Sequence, residues 1–453
     1  MGKLKRTTLL FTLIAYPIIL LAQLPVVTLT GNFNDDYSQG SMSVTDGNGT
    51  VTYNIKSKWR GSSSKQYDKK SFAVKLLDEN NKSLDAPILG MREDNNWILD
   101  AMAIDKARMR NRVSFDLWND MAMPSFIKSN YEEEAFNGTH GQFVELYLNG
   151  NYHGIYCLTE KIDRKQLKLK KYKNGVHGIL YKADTWEGTA FWDSPSDFDN
   201  SLPTWMGWES QYPDVEDDGD TDYKPLYDAI KFVVESSKDT FDAEVEERFD
   251  LPVWNDYFLF IKVILATDNN GKNTFTYIYN KDKDTRLGMA PWDLDATWGR
   301  SYDGTTTEHS TINGGNNLSN RLEQNKEYNE AVSERYFSLR KDILSTDSLK
   351  NRFRHYFNLF RNSGAAQRET ERWNKTNGIE LDFDSEQAYI EQWIDKRLEA
   401  LDRHFGQDFS GISPLKHKDN AGKSIYNTNG QKMSGNRILS KGIYIINGKK
   451  IVK

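Results

Sequence analysis

The hydrophobic period of this chain changes part-way along, and that change limits the folds open to it. Before about residue 160, apolar and polar side chains alternate, as in Leu24-Pro25-Val26-Val27-Thr28-Leu29-Thr30, Val51-Thr52-Tyr53-Asn54-Ile55 and Ser71-Phe72-Ala73-Val74-Lys75-Leu76. A period of two puts alternate residues on opposite faces and predicts strands. Phe143–Leu148 and Tyr152–Leu158 flank Asn149-Gly150, the strongest short hairpin signal. Inside this region Trp97, Met102, Ile104, Met109, Val113, Leu117 and Trp118 recur at roughly helical spacing, which predicts one embedded helix over 97–121. From about Tyr223 the helical period dominates, over 223–236, 251–266, 329–345, 347–361 and 385–405. A strand pair, Thr274–Tyr279 and Leu287–Pro291, interrupts it. The expected class is α+β, with a β-rich first part and a mainly helical second part. Stretches 185–221 and 301–328 are rich in Gly, Asp, Asn and Ser and read as long loops. Beyond 421, short β-like pieces alternate with turns at Asn429-Gly430 and Asn447-Gly448.

Lys3, Lys5 and Arg6 precede an apolar run from Leu9 to Leu21 that is broken by Pro17 and followed by Ala22. This is the pattern of a secretory leader over 1–22, too short to span a bilayer. The chain is therefore expected in a secreted, cell-surface or periplasmic location, with no stable membrane span once the leader is removed. Cys157 is the one cysteine in 453 residues, so no intrachain disulfide can hold an exported fold together. Stability must come from a large packed core, and 12 Trp, 23 Tyr and 22 Phe can supply one. A formal charge of −6 argues against a nucleic-acid partner, which calls for a basic surface. His140, His153 and His177 show no zinc spacing, and Cys157, between Tyr156 and Leu158, reads as a buried structural thiol.

The stretch with most chemistry is Thr267-Asp268-Asn269-Asn270-Gly271-Lys272-Asn273, after an apolar helix and before the strand pair, with Pro291-Trp292-Asp293-Leu294-Asp295 beyond it. Phosphoryl transfer needs an acidic group at the attacking hydroxyl and oxygen ligands for a magnesium ion. Asp268 and Asn273 have the Asp-x4-Asn spacing of a kinase catalytic loop, and Asp293 and Asp295 alternate on an extended chain. Taken alone, the first spacing is more readily that of a polar turn, and the helix, loop, hairpin and Asp pair around it bring the two readings level. Lys75 has the form of a phosphate-holding strand lysine, and Arg60-Gly61-Ser62-Ser63-Ser64 offers a guanidinium, hydroxyls and flexible amides for phosphate oxygens. Glu93, Asp94, Arg110 and Arg112 are candidate partners for that lysine.

In order along the chain, several blocks resemble the CotH family, secreted or surface-associated atypical protein kinases. They are Lys58-Trp59-Arg60-Gly61-Ser62-Ser63-Ser64; Lys69-Lys70-Ser71-Phe72-Ala73-Val74-Lys75-Leu76; Trp97-Ile98-Leu99 with Met109-Arg110-Asn111-Arg112; Val144 to Gly150, through Tyr152-His153-Gly154-Ile155-Tyr156, to Glu160-Lys161-Ile162-Asp163; Asp268 with Asn273; and Pro291-Trp292-Asp293-Leu294-Asp295. The resemblance implies a two-lobed kinase-like fold: a leader over 1–22, an N-lobe over 23–165, a C-lobe over 166–405, and a linker with a short β tail over 406–453. It implies ATP with Mg or Mn between the lobes, Asp268 as the catalytic carboxylate, and Asn273 with Asp293 or Asp295 on the metal. Lys75 or Arg60 would reach the phosphates, and Glu160 would lie near the adenine. The tail, with Ile425-Tyr426-Asn427-Thr428-Asn429-Gly430 and Gly442-Ile443-Tyr444-Ile445-Ile446-Asn447-Gly448-Lys449, resembles sorting domains of type IX secretion substrates.

The expected function is an exported protein kinase that moves the ATP γ-phosphoryl group to hydroxyls of surface or secreted proteins. One alternative is a non-catalytic cell-surface protein on the same scaffold. Its glycan-binding version rests on Trp186, Phe191, Trp192, Trp205 and Trp208, since flat rings stack on apolar sugar faces. Another is a metal-dependent hydrolase using Asp268, Asp293 and Asp295.

Overall fold

The computed structural model describes residues 23–186, 188–312 and 315–406, and four short strands near the C-terminus. The leader predicted over 1–22, and the turns predicted at Asn429-Gly430 and Asn447-Gly448, lie outside the described residues. The chain forms two compact units, Met1–Gln407 and Asp408–Lys453.

Seven strands of the first unit close into a barrel: β1 (Val26–Gly31), β2 (Ser38–Asp46), β3 (Gly49–Arg60), β4 (Ser71–Leu77), β5 (Asn96–Asp100), β6 (Gly141–Leu148) and β7 (Asn151–Thr159). The order is β1-β2-β3-β4-β5-β7-β6, and β6 returns to pair in parallel with β1, Val26 opposite Glu145. Closure leaves no strand edge open to a neighbouring chain. Strand alternation fills the interior with Val27, Leu29, Met42, Val44, Ile55, Phe72, Val74, Leu76, Trp97, Leu99, Val144, Leu146, Tyr156 and Leu158.

The outer face of β6 and β7 meets helices. Phe143 packs edge-on against Tyr356 and Phe360 at 4.8 and 4.9 Å. These two rings belong to the C-terminal helices of the unit. The longer helices are α1 (Arg110–Met121), α2 (Lys224–Glu235), α3 (Lys238–Arg248), α4 (Leu251–Ile264), α5 (Lys326–Arg340), α6 (Thr346–Asn362), α7 (Ala365–Trp373) and α8 (Phe383–Phe405). Nearly every side chain of α4 is buried, so it is the central rod around which the others pack. A second, antiparallel sheet joins β8 (Ile179–Ala183), β9 (Thr204–Trp205), β10 (Trp208–Tyr212), β11 (Thr274–Ile278) and β12 (Gly288–Pro291), in the order β9-β10-β8-β11-β12. In the second unit, strands Lys432–Met433, Ile425–Asn427, Ile443–Ile446 and Lys449–Val452 form a four-stranded antiparallel sheet in that order.

Three local expectations change. The helix over 97–121 begins only at Arg110, because Trp97-Ile98-Leu99 is a barrel strand buried on both faces and so lacks alternation. The loop 185–221 contains β9 and β10. Helices α3 and α7 go unpredicted because each buries few side chains, Phe241 and Val245 in α3 and Ala365, Glu369 and Trp373 in α7.

Candidate active site

The β11–β12 hairpin carries the site. Its register sets Thr274 opposite Pro291, so the residues before and after it, Asn273 and Trp292, meet, and Trp292 N donates to Asn273 O at 3.0 Å. Asn273 N in turn donates to Ala183 O at 2.9 Å, which ties the segment to β8. The fully buried Asn269 clamps both ends of the hairpin, its Nδ2 donating to Trp292 O at 2.7 Å and Asn273 O at 3.2 Å. Tyr257 on α4 donates its hydroxyl to Asn269 O at 2.6 Å and anchors the loop to the central helix.

These connections place Asp268, Asn273, Asp293 and Asp295 on one cavity of about 820 Å³, which also takes in Arg60, Lys69, Asp100, Asn111, Lys182, Asp184, Glu209, Lys272 and Trp292. Asp268 Oδ2 accepts from Asn273 Nδ2 at 2.9 Å and pairs with Lys272 at 3.2 Å. Asn273 and Asp293 both hold left-handed backbone, φ 57° and 53°. Asn and Asp are the non-glycine residues that best tolerate this region, and non-glycine residues in it gather at functional sites. Asn111 on α1 bridges the barrel to this segment. Its Nδ2 donates to Asp100 Oδ2 at 2.9 Å, and its Oδ1 accepts from Leu294 N at 3.1 Å. The Arg60 guanidinium, at the end of β3, lies 5.6 Å over the Trp292 ring, a cation–π contact that aims it across the cavity.

The cavity is rich in carboxylates. Burial, and then the neighbouring Asp100 and Asp268, hold the Asp293 carboxyl above its usual range, with Arg60 and Lys182 pulling the other way. Asp295 is pushed well up, by burial and by Asp293, Asp100, Asp105 and Asp268. Asp293 opens onto the cavity yet is ringed by protein, so it is both accessible and poorly solvated. Crowded carboxylates of this kind suit a cation. Among the described residues no three His, Cys, Asp or Glu side chains are grouped to hold a metal. A magnesium-type ion would instead take one or two of these carboxylates, Asn273 Oδ1 and oxygens from its own ligand, the usual manner for that ion.

Two predicted site residues stand elsewhere. Lys75 does not line this cavity. Phe72, Val74 and Leu76 fill the barrel interior, so Lys75 emerges on the outer face, opposite Lys56 and Asn96, with its ammonium 4.9 Å over the Tyr37 ring. Glu160, just past β7, is buried and engaged by protein donors: His140 N at 2.8 Å, Gln166 Nε2 at 3.2 Å and Arg92 N at 3.4 Å. Burial alone would raise its carboxyl, but the His140 contacts outweigh it and hold the carboxyl low. It braces the link out of the barrel and is not a cavity residue. Three of the four candidate partners for Lys75 are also committed elsewhere. Arg110 bonds Asp105 and Glu386 at 2.5 and 2.7 Å, Arg112 bonds Asp116 at 2.9 Å, and Asp94 bonds Arg92 at 2.6 Å.

Of the five rings put forward for a glycan, Phe191, Trp205 and Trp208 are core, which leaves Trp186 and Trp192 exposed. Cys157 is buried, and burial pushes its thiol up, away from nucleophile behaviour.

The sequence gives no hint of the cluster behind the cavity. Lys69 reaches in from the β3–β4 connection. Its ammonium bonds Glu369 Oε1 at 2.7 Å and Ile155 O at 2.6 Å, and burial pulls it down to about 7 despite the carboxylate. Arg108 Nε bonds the same Oε1 at 2.7 Å, and Ile155 N donates to Oε2 at 2.7 Å. Glu369, on α7, thus locks the outside of the barrel to the C-terminal helices.

Residues 58–401 match the family described as CotH kinase protein, and the chain belongs to that family. Among curated proteins it is similar to the inner spore coat protein H of Bacillus subtilis (strain 168), 26% identical over 275 residues. That alignment covers 60% of this chain and 66% of the relative's length.

Proposed function

We propose that this chain is an exported phosphotransferase that moves the γ-phosphoryl group of ATP to hydroxyls of surface or secreted proteins. The observation that carries the reading is one cavity lined by Asp268, Asn273 and Asp293, with Arg60 aimed into it. Read this way, the barrel acts as the N-lobe (23–165), the rest of the first unit to about residue 405 as the C-lobe, and the cavity as the nucleotide cleft.

Asp268 is held beside both an amide and an ammonium, Asn273 and Lys272. These partners orient its carboxylate, placing it to accept the proton of the attacking hydroxyl. Asn273 with Asp293, or Asp295, would hold Mg or Mn, whose charge offsets that of the phosphates. Arg60 presents a fork of donors for phosphate oxygens, and Lys182 and Lys272 add positive charge on the same wall. Lys75 is too far round the barrel for this task, and Lys69 takes its place as the buried cation at the cavity.

Among the described residues no helix is long and apolar enough to cross a membrane. The basic-then-apolar start of the sequence and the spore-coat location in the relative's name favour export and a surface-associated site. The four-stranded C-terminal sheet fits a sorting role.

Transfer from γ-labelled ATP, autophosphorylation included, tests the reading. Wild type should label in the presence of Mg or Mn, and Asp268→Ala should not. Equal labelling by the two would remove Asp268 from the mechanism. No labelling, together with no Mg·ATP-dependent rise in melting temperature, would favour the non-catalytic scaffold.

A further inference from the structure

Two indoles of this chain, Trp186 and Trp192, face solvent and have no role in the chemistry above, and Trp186 stands beside the Asp268 loop. Trp186 is 42% exposed and Trp192 57%, whereas most tryptophans of this chain are buried. Trp186 packs so close to the loop that a Cβ at Gly271 would stand 2.7 Å from its Cε3 and Cζ3 atoms, so only glycine permits the approach. Gly271 falls between Asp268 and Asn273. Asp184, two residues before the indole, lines the cavity itself, as does Glu209 on β10.

The segment bearing Trp186 is rigidly mounted. Asp184 N and Thr185 N donate to Gly207 O at 2.9 and 3.3 Å, and Gly188 N donates to Met206 O at 2.9 Å. Phe191 is sunk in the core, and its carbonyl accepts from Asn317 Nδ2 at 2.8 Å. The exposed ring is therefore held in place before any ligand arrives, which reduces the ordering cost of binding. The segment that carries it is acidic. From Ala183 to Tyr223 the chain has no Lys, Arg or His, while Asp184, Asp193, Asp197, Asp199 and Glu209 are among its acids.

An apolar ring face next to carboxylates, with the adjacent lysines Lys182 and Lys272 already paired to Asp184 and Asp268, matches a neutral polyhydroxylated ring. The C–H face of a sugar covers the indole, and its hydroxyls donate to carboxylate oxygens. We propose that Trp186 is the acceptor shelf of the site and that the hydroxyl phosphorylated belongs to a sugar carried by a surface glycoprotein or polymer. This rests on the phosphotransfer reading for its chemistry. In the step, the sugar oxygen bonds to the γ-phosphorus of ATP as its proton passes to Asp268. The bond from that phosphorus to the β,γ-bridging oxygen breaks, and ADP leaves.

Two measurements on the full chain separate the shelf from the transfer reaction. In the first, neutral oligomers of glucose, mannose, galactose and N-acetylglucosamine are titrated without ATP, with indole fluorescence and calorimetry as readouts. At least one series should bind wild type. Trp186→Ala should weaken it tenfold or more at unchanged melting temperature, and Trp186→Phe should keep most of the affinity. In the second, γ-labelled ATP is offered with the binding oligosaccharide or with a Ser/Thr peptide. Label should enter the sugar, and Trp186→Ala should raise the KM for sugar and leave the KM for ATP unchanged. Absence of oligosaccharide binding, binding indifferent to Trp186, or label confined to the peptide would each overturn the sugar-acceptor assignment. Sugar binding at Trp186 in a protein that does not bind Mg·ATP would instead overturn the phosphotransfer reading and leave the shelf standing.

Discussion

Glu369→Gln is the sharpest probe of how the barrel is fixed to the helices behind the cavity. The native carboxylate is fully buried and is met by Lys69, Arg108 and Ile155 N, each at 2.7 Å. Glutamine has nearly the same shape but no charge, so two buried cations lose their counterion. Removing one partner of a buried ion pair costs about 3–5 kcal/mol, because the remaining charge is left uncompensated in a poorly solvated site. At about 2.1 cal/mol/K per residue, a cooperative unit of roughly 385 residues has an unfolding entropy near 0.8 kcal/mol per degree. The melting temperature should therefore fall by about 4–6 °C, read by calorimetry at neutral pH. Glu371→Gln, on the exposed side of the same helix, is the control, and should change stability by less than about 0.5 kcal/mol. If both variants melt within a degree or so of wild type, the triad does not hold the two parts together and the reasoning is wrong.

Three further outcomes follow from the geometry. Asp295→Asn removes one of the mutually repelling carboxylates, so the ligand-free protein should melt higher than wild type while its stabilisation by Mg·ATP shrinks, both read by thermal shift. Asn269→Ala leaves Trp292 O without its buried donor, at about 1–3 kcal/mol, and takes one of two donors from Asn273 O, so it should lower both melting temperature and transfer activity. Burial raises the Asp250 carboxyl to about 6, so the native state keeps a proton that the unfolded chain releases near pH 4; this contribution is present at low pH and is lost as pH rises through 6. Asp250→Asn, which can still accept from Phe126 N, should gain up to about 3 kcal/mol over wild type at pH 7 and nothing near pH 4, as read from denaturation across that range.

Much of the fold is visible in the residues because its signals are local. The Asn149-Gly150 turn sets the β6–β7 hairpin, and the nearly unbroken apolar run of α4 marks a core helix. Asp268, Asn273 and Asp293 are drawn together by a hairpin whose two strands are themselves readable, so their convergence needs no long-range information. Lys75 shows where this ends. Its motif form suggests a phosphate ligand, but barrel closure decides which way each face points, and closure depends on the β1–β6 pairing across more than a hundred residues. Glu160 was expected near a nucleotide, yet its carboxylate is taken by His140, Gln166 and Arg92, none of which a linear motif reveals. The Lys69–Glu369 bond joins residues 300 apart, and neither end looks different from a surface charge in sequence. The aromatic loop misleads for a related reason: only tertiary packing separates the core rings Phe191, Trp205 and Trp208 from the exposed Trp186 and Trp192.

The central claim is that Asp268, Asn273 and Asp293 serve one metal-bound nucleotide. It is tested most directly by a crystal structure of the full chain with Mn²⁺ and a non-hydrolysable ATP analogue, using the anomalous signal of manganese. The claim predicts a manganese peak bonded to Asn273 Oδ1 and to a carboxylate of Asp293 or Asp295, with the terminal phosphate between Arg60 and Asp268. Manganese and nucleotide bound elsewhere, with this cavity filled only by solvent, would contradict it.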